Sequence, residues 1–241
     1  AMATNGVELV SVWLQTVSGV KRIYSSAYSS LTGWELPHRV QTDTASGDAS
    51  SPSVDINKDG DGFAVWSEFD GVRTNILGSR YASKVWAAPF YVETDSRGDA
   101  LNPTVIMGPR GGVAQAIWLQ AVDGQHQVRE SHFSLEAGWS TSLNVIGSAA
   151  ISTFPKVVSA FDGYSNVTAL WSDAGNTISN RLGSGQSDWE GALTIDANQN
   201  AALEPKLVPI ALDGRMLAVW GDLEGGDYRL TTSIYDSLFD D

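Results

Sequence analysis

The sequence predicts an all-β fold, a five-bladed β-propeller with an incomplete blade at the N/C seam, on three observations. Tryptophan recurs in two phase-locked series, strand-length apolar runs alternate with turn-rich stretches, and no segment keeps a 3.6-residue apolar period for a helix. The first series is Trp13, Trp66, Trp118, Trp171 and Trp220, spaced by 53, 52, 53 and 49 residues. Each follows a small-then-aliphatic pair such as Ser11-Val12, Ala64-Val65 or Ala169-Leu170. The second series is Trp34, Trp86, Trp139 and Trp189, spaced by 52, 53 and 50 residues. Together the two series account for all nine tryptophans, so each one marks a repeat.

One repeat, taken from the second copy, reads as four strands: A near Ser53–Asn57, B near Gly62–Glu68, C near Asn75–Tyr81 and D near Trp86–Glu93. Strand A opens on a proline that recurs as Pro52, Pro103, Pro155 and Pro205. Strand B alternates Ala64, Trp66 and Glu68 on one face with Phe63, Val65 and Ser67 on the other. Both faces are apolar at the centre, as in a sheet sandwiched between neighbours, so the first-series indoles are expected in the core. Strand C ends on an aromatic residue in most copies (Tyr28, Tyr81, Phe133, Tyr235), with Leu182 in the fourth. Strand D starts at the second-series Trp, and Asn57-Lys58-Asp59-Gly60 and Asp70-Gly71 supply turns.

A four-stranded sheet of this kind must stack on others to bury both faces, which is the logic of a propeller blade. Strands B and C occur five times but A and D four times, giving 18 strands where five full blades need 20. Ala1-Met2-Ala3 reads as an expression remnant, and residues 4–241 as a single propeller domain of about 4.5 repeats. A monomer is expected, or a dimer if two chains complete the seam between them.

The chain carries 28 acidic against 15 basic side chains, a net charge of −13. Nucleic acid is not expected as a partner, because phosphate affinity rests on clustered cations. Membrane insertion is not expected either, since no apolar run approaches the length of a spanning helix. The absence of Cys removes disulfides, thiol catalysis and cysteine-held zinc. An acidic, cysteine-free chain rich in Gly, Ser and Thr suggests an exported protein, at the cell surface, in the periplasm or outside.

Candidate sites follow from the repeat. Two residues past each first-series Trp stands a polar group: Gln15, Glu68, Gln120, Asp173 and Asp222. If B is an inner strand, these form a ring at one channel mouth, where acceptors converge on a polar ligand or cation. Trp34, Trp86, Trp139 and Trp189, on an outer strand, are candidates for stacking on sugar rings. Asp55, Asn57, Asp59 and Asp61 place oxygen donors at alternate positions ahead of Gly62, a pattern that wraps Ca²⁺ in loop sites. Phe63 and Trp66 stand where that loop needs further ligands, so hairpin-turn chemistry competes and no cofactor beyond Ca²⁺ is expected. Arg97-Gly98-Asp99 spells a cell-adhesion tripeptide, but Gly47-Asp48-Ala49 matches it in the first copy, so Gly-Asp-Ala belongs to the repeat.

The succession Pro-x-Val, Ala-Val-Trp, Ser-x-Tyr and Gly-Trp-x-x-Pro resembles the repeat of exported bacterial β-propeller proteins over nearly the whole chain. The B-to-C stretch, with Arg22 and Arg80, is faintly similar to fucose-binding propeller lectins. The expected function is a non-catalytic recognition or scaffold module, not an enzyme, that binds a protein or glycan. A multivalent carbohydrate-binding lectin is the alternative, and a five-bladed glycosidase using Glu68, Asp173 or Asp222 the second alternative.

Overall fold

The computed structural model describes residues 1–41, 47–109, 112–141, 144–149, 156–197, 203–210 and 213–236. These residues form strands and no helix, in five antiparallel sheets. The first sheet contains β1 (Met2–Thr4), β2 (Glu8–Val17), β3 (Val20–Ser29), β4 (Gly33–Trp34) and β5 (His38–Arg39). The second contains β6 (Ala49–Ile56), β7 (Gly62–Phe69), β8 (Thr74–Ala82), β9 (Val85–Trp86) and β10 (Phe90–Tyr91). The third contains β11 (Ala100–Met107), β12 (Val113–Val122), β13 (Gln125–Ser134), β14 (Gly138–Trp139) and β15 (Asn144–Ala149). The fourth contains β16 (Val158–Phe161), β17 (Val167–Asp173), β18 (Asn176–Leu182) and β19 (Leu193–Asp196). The fifth contains β20 (Leu203–Pro209), β21 (Met216–Glu224) and β22 (Asp227–Tyr235).

The expected A-B-C-D order is seen directly, with D in two short pieces in the first three sheets. Two expectations are corrected. Ala1–Ala3 does not lie outside the fold: Met2, Ala3 and Thr4 pair with Ser11, Val10 and Leu9. An A strand therefore opens the first sheet too, and among the described residues only the fifth sheet lacks a strand, its D strand. B is also not the innermost strand. It runs between A and C in every sheet, and the A strands of successive sheets β1, β6 and β11 lie against one another.

Two compact units result, Ala1–Ala121 with Glu130–Asn144, and Val122–Arg129 with Val145–Asp241. In the first unit, Val12, Ile23, Val54, Ala64, Trp66 and Tyr81 form a core between the first two sheets. A second core there joins Phe63, Val65, Ile76, Val105, Ala116 and Trp118. In the second unit Leu170, Ala218 and Trp220 pack with Val158, Ile195 and Leu207.

The B–C hairpins show why these sequences turn where they do. Ser18-Gly19, Asp123-Gly124, Ala174-Gly175 and Gly225-Gly226 all have positive φ at both positions, the two-residue turn whose twist matches that of the flanking strands. The second sheet departs from this with a longer turn, in which Asp70 Oδ1 accepts the Val72 and Arg73 N–H groups and Oδ2 accepts Asn75 Nδ2. Those donors hold the Asp70 carboxyl down at about 2. Because the folded value lies below the ordinary one, this stabilisation is complete above about pH 4 and is lost as pH falls towards 2. Asp70→Ala should lower Tm at pH 7, and the difference from the parent should narrow as the pH falls through about 2 in a pH series of melts.

Candidate functional site

The repeat proline and the buried tryptophan are two sides of one device. Ser50 pairs with Ser67 and Ser53 with Val65, so Ser51 and Pro52 together oppose Trp66. Asn102 and Pro103 oppose Trp118 in the same way, and the register shifts again between Leu203 and Lys206, opposite Trp220. These are β-bulges: proline lacks the N–H that the ladder would use, and the extra residue bends strand A. Pro155 lies outside the described residues.

The bulges drive Ser51 and Asn102 into left-handed backbone, with φ of 49° and 52°. A serine there is strained, and strain of this kind concentrates at functional sites. The two side chains meet, Ser51 Oγ donating to Asn102 Oδ1 at 3.0 Å. Below them Ser53 Oγ accepts the Val105 N–H and Asp55 Oδ2 accepts the Met107 N–H, so β6 side chains clasp the β11 backbone. Burial pushes the Asp55 carboxyl up from its ordinary value against the pull of the Met107 and Ile56 N–H groups. The Ser51–Asn102 pair was not predicted. Its signal is the residue before each repeat proline.

Of the five residues predicted two past the Trp, Glu68 and Gln120 accept the indole N–H of their own Trp. Glu68 is buried; its Oε2 accepts the Trp66 Nε1–H at 2.8 Å and a Gln41 Nε2–H. Gln120, fully buried, accepts the Trp118 Nε1–H at 3.0 Å and donates to the Gly98 carbonyl. Gln15 is exposed, Asp173 half-buried and Asp222 buried. In the second unit the indole of Trp220 turns to Asp196 Oδ2 and that of Trp171 to the Ser148 carbonyl. Gln41 and Asp196 each stand seven residues past a second-series Trp, a second polar register that counting from Trp34 and Trp189 finds.

Three of the second-series tryptophans are engaged with protein. Trp86 lies 4.9 Å from Tyr81 and donates to Ser25 Oγ at 2.7 Å, packing onto the first core. Trp139 sits among Phe63, Phe90 and Phe133 at 5.2, 6.3 and 5.7 Å. Trp34 stacks on Tyr28 at 5.4 Å but remains half exposed, and Trp189 is half-buried. The oxygen donors of the candidate Ca²⁺ loop are spent locally. Asn57 Oδ1 caps the Asp59 and Asp61 N–H groups, Lys58 holds Asp59, Arg80 lies 3.5 Å from Asp61, and Asp55 faces β11. Asp162 Oδ1 likewise accepts the Tyr164 and Asn166 N–H groups in the equivalent turn of the fourth sheet.

No family model and no curated protein matches the chain. Solved structures do match. A protein of unknown function from Dyadobacter fermentans aligns over all of this chain and 79% of its own, at 10% identity and a TM-score of 0.67. The chain has the fold of these structures. An alpha-L-arabinofuranosidase from Podospora anserina, solved with cellotriose, covers 98% of this chain and 89% of its own at 13% identity and a TM-score of 0.53. An endo-arabinase from Bacteroides thetaiotaomicron covers 95% and 89% at 10% identity and a TM-score of 0.54. These matches overturn the expectation of a non-catalytic recognition or scaffold module that is not an enzyme. Several of the matched structures are named as glycoside hydrolases.

Proposed function

We propose that the protein acts on glycans as a glycoside hydrolase, with its five sheets as the blades of a five-bladed β-propeller. The observation that carries this reading is the likeness to arabinan- and arabinofuranoside-cleaving enzymes over nearly the full chain. The reaction is hydrolysis of a glycosidic bond by carboxyl groups flanking it. Ser51 and Asn102 bind and orient the sugar: a hydroxyl and a carboxamide, aimed by bulges on adjacent inner strands, suit sugar hydroxyls and carry no charge of their own. An exported location fits a polymeric glycan substrate.

The test is release of reducing sugar from arabinan, arabinoxylan and aryl arabinofuranosides. Ser51→Gly separates the site from the scaffold, because glycine adopts positive φ without strain. This variant should keep or raise Tm while kcat/KM falls at least tenfold. No turnover on any furanoside or pyranoside polymer, with a pure folded protein, would refute the reading. An unchanged kcat/KM in Ser51→Gly would remove Ser51 from the site.

A further inference from the structure

What the Ser51–Asn102 pair offers a ligand follows from where its protons go. Ser51 Oγ carries a single proton and gives it to Asn102 Oδ1 at 3.0 Å. The serine oxygen keeps only lone pairs, so towards a ligand it is an acceptor. The carboxamide keeps its nitrogen, and among the described residues Asn102 Nδ2 donates to no protein group. Both residues are half-buried. A donor and an acceptor therefore stand side by side, partly open to a ligand. Turning the carboxamide over would exchange the two roles and keep one of each.

The backbone presents the pair as a unit. Positive φ at both residues aims the side chains, and the clasps from Ser53 and Asp55 to the Val105 and Met107 N–H groups fix β6 against β11. Charge close to the pair along the chain has one sign. Residues 47–55 and 98–106 contain Asp48, Asp55 and Asp99 and neither Lys nor Arg.

Among sugar substituents, a carboxylate only accepts. It would take the Asn102 N–H groups but set its own lone pairs against Ser51 Oγ, in an acidic neighbourhood. An ammonium only donates, and would meet the hydrogens of Asn102 Nδ2. A hydroxyl does both at once, accepting from Nδ2 and donating to Oγ.

We infer, on the reading that the protein is a glycoside hydrolase, that its substrate is a neutral glycan recognised through one free sugar hydroxyl that bridges Asn102 Nδ2 and Ser51 Oγ. Uronic acids, and sugars acylated at that hydroxyl, are rejected. Ser51 has two parts in this: it accepts the hydroxyl proton, and it holds the carboxamide with the nitrogen turned to the sugar.

Reducing-sugar release is first compared across neutral and uronate polymers, with arabinan, galactan and polygalacturonate among them. A neutral polymer should be cleaved at least tenfold faster than any uronate. Equal or faster cleavage of a uronate polymer would overturn the inference and leave the glycosidase reading standing, whereas cleavage of none would overturn both. The second measurement uses the aryl glycoside of the sugar released, with its monodeoxy analogues. One analogue should lose at least tenfold in kcat/KM, and that penalty should shrink to within about twofold in Ser51→Gly and in Asn102→Gly. Glycine adopts positive φ at both positions, so both variants should fold, and a ratio taken within one protein cancels any loss of active material. A penalty kept in either variant, or absent from every analogue with the parent protein, would overturn the inference alone.

Discussion

Trp66→Ala is expected to lower the unfolding free energy by about 3–5 kcal/mol, the range for removing a large aromatic from a close-packed core. Trp66 has no exposed surface, and its indole fills the space between the first two sheets opposite the Ser51-Pro52 bulge. Truncation also strips the Glu68 carboxylate, itself buried, of an N–H donor, leaving Gln41 to hold it. A buried anion that loses a partner adds to the cavity term. Trp66→Phe should recover part of the loss, since it restores most of the volume but not the donor. Denaturant titration measures both variants; a loss below about 1 kcal/mol for Trp66→Ala would show that the site collapses around the missing ring.

Gly98→Ala should also be destabilising, for a reason that lies in the backbone. A Cβ at Gly98 would stand 2.3 Å from the Ala121 carbonyl oxygen, and one at Gly47 closer still to that of Phe69. The strands are also tied there, since the neighbouring Asp99 and Asp48 carbonyls accept the Ala121 and Phe69 N–H groups. The same aspartates reach the preceding sheet, Asp99 Oδ1 accepting the Thr74 N–H at 2.7 Å and Asp48 Oδ1 the Lys21 N–H at 2.8 Å. Overpacking of this kind costs about 1–3 kcal/mol. Gly98→Ala combined with Asp99→Ala should cost less than the sum of the single changes, because both break one clasp. The tripeptide Arg97-Gly98-Asp99 is thus structural at its last two positions, with the aspartate turned to its own chain.

The sheets were legible in the sequence because an indole is too large to be placed in a core by accident. Five of them spaced by 49–53 residues announce a repeated core, and Trp66, Trp118, Trp171 and Trp220 are buried while Trp13 is only half-buried. The bulge was not legible. Pro52 and Trp66 are 14 residues apart, and only the ladder register shows that they face each other. The first strand was missed because Met2-Ala3-Thr4 has no proline and no apolar run; it is held by pairing to β2 and by the terminal ammonium on the Val12 carbonyl. The polar positions two past each Trp were seen, but their role depends on where the indole N–H points, and spacing along a strand does not encode that. The Ser51–Asn102 pair was invisible for the same reason: a hydrogen bond between residues 51 apart exists only once two sheets are stacked.

The Gly-Asp-Ala clasp has a consequence for synthesis on the ribosome. Asp48 satisfies Lys21 and Asp99 satisfies Thr74, so the first and second sheets each receive a backbone acceptor from the repeat that follows. A nascent chain therefore supplies that acceptor only when it has run eight or nine residues past the last strand of the sheet, from Arg39 to Asp48 and from Tyr91 to Asp99, so locking advances from the N-terminus. The order of translation and the order of locking coincide, which keeps short the interval in which the first two sheets stand without that acceptor.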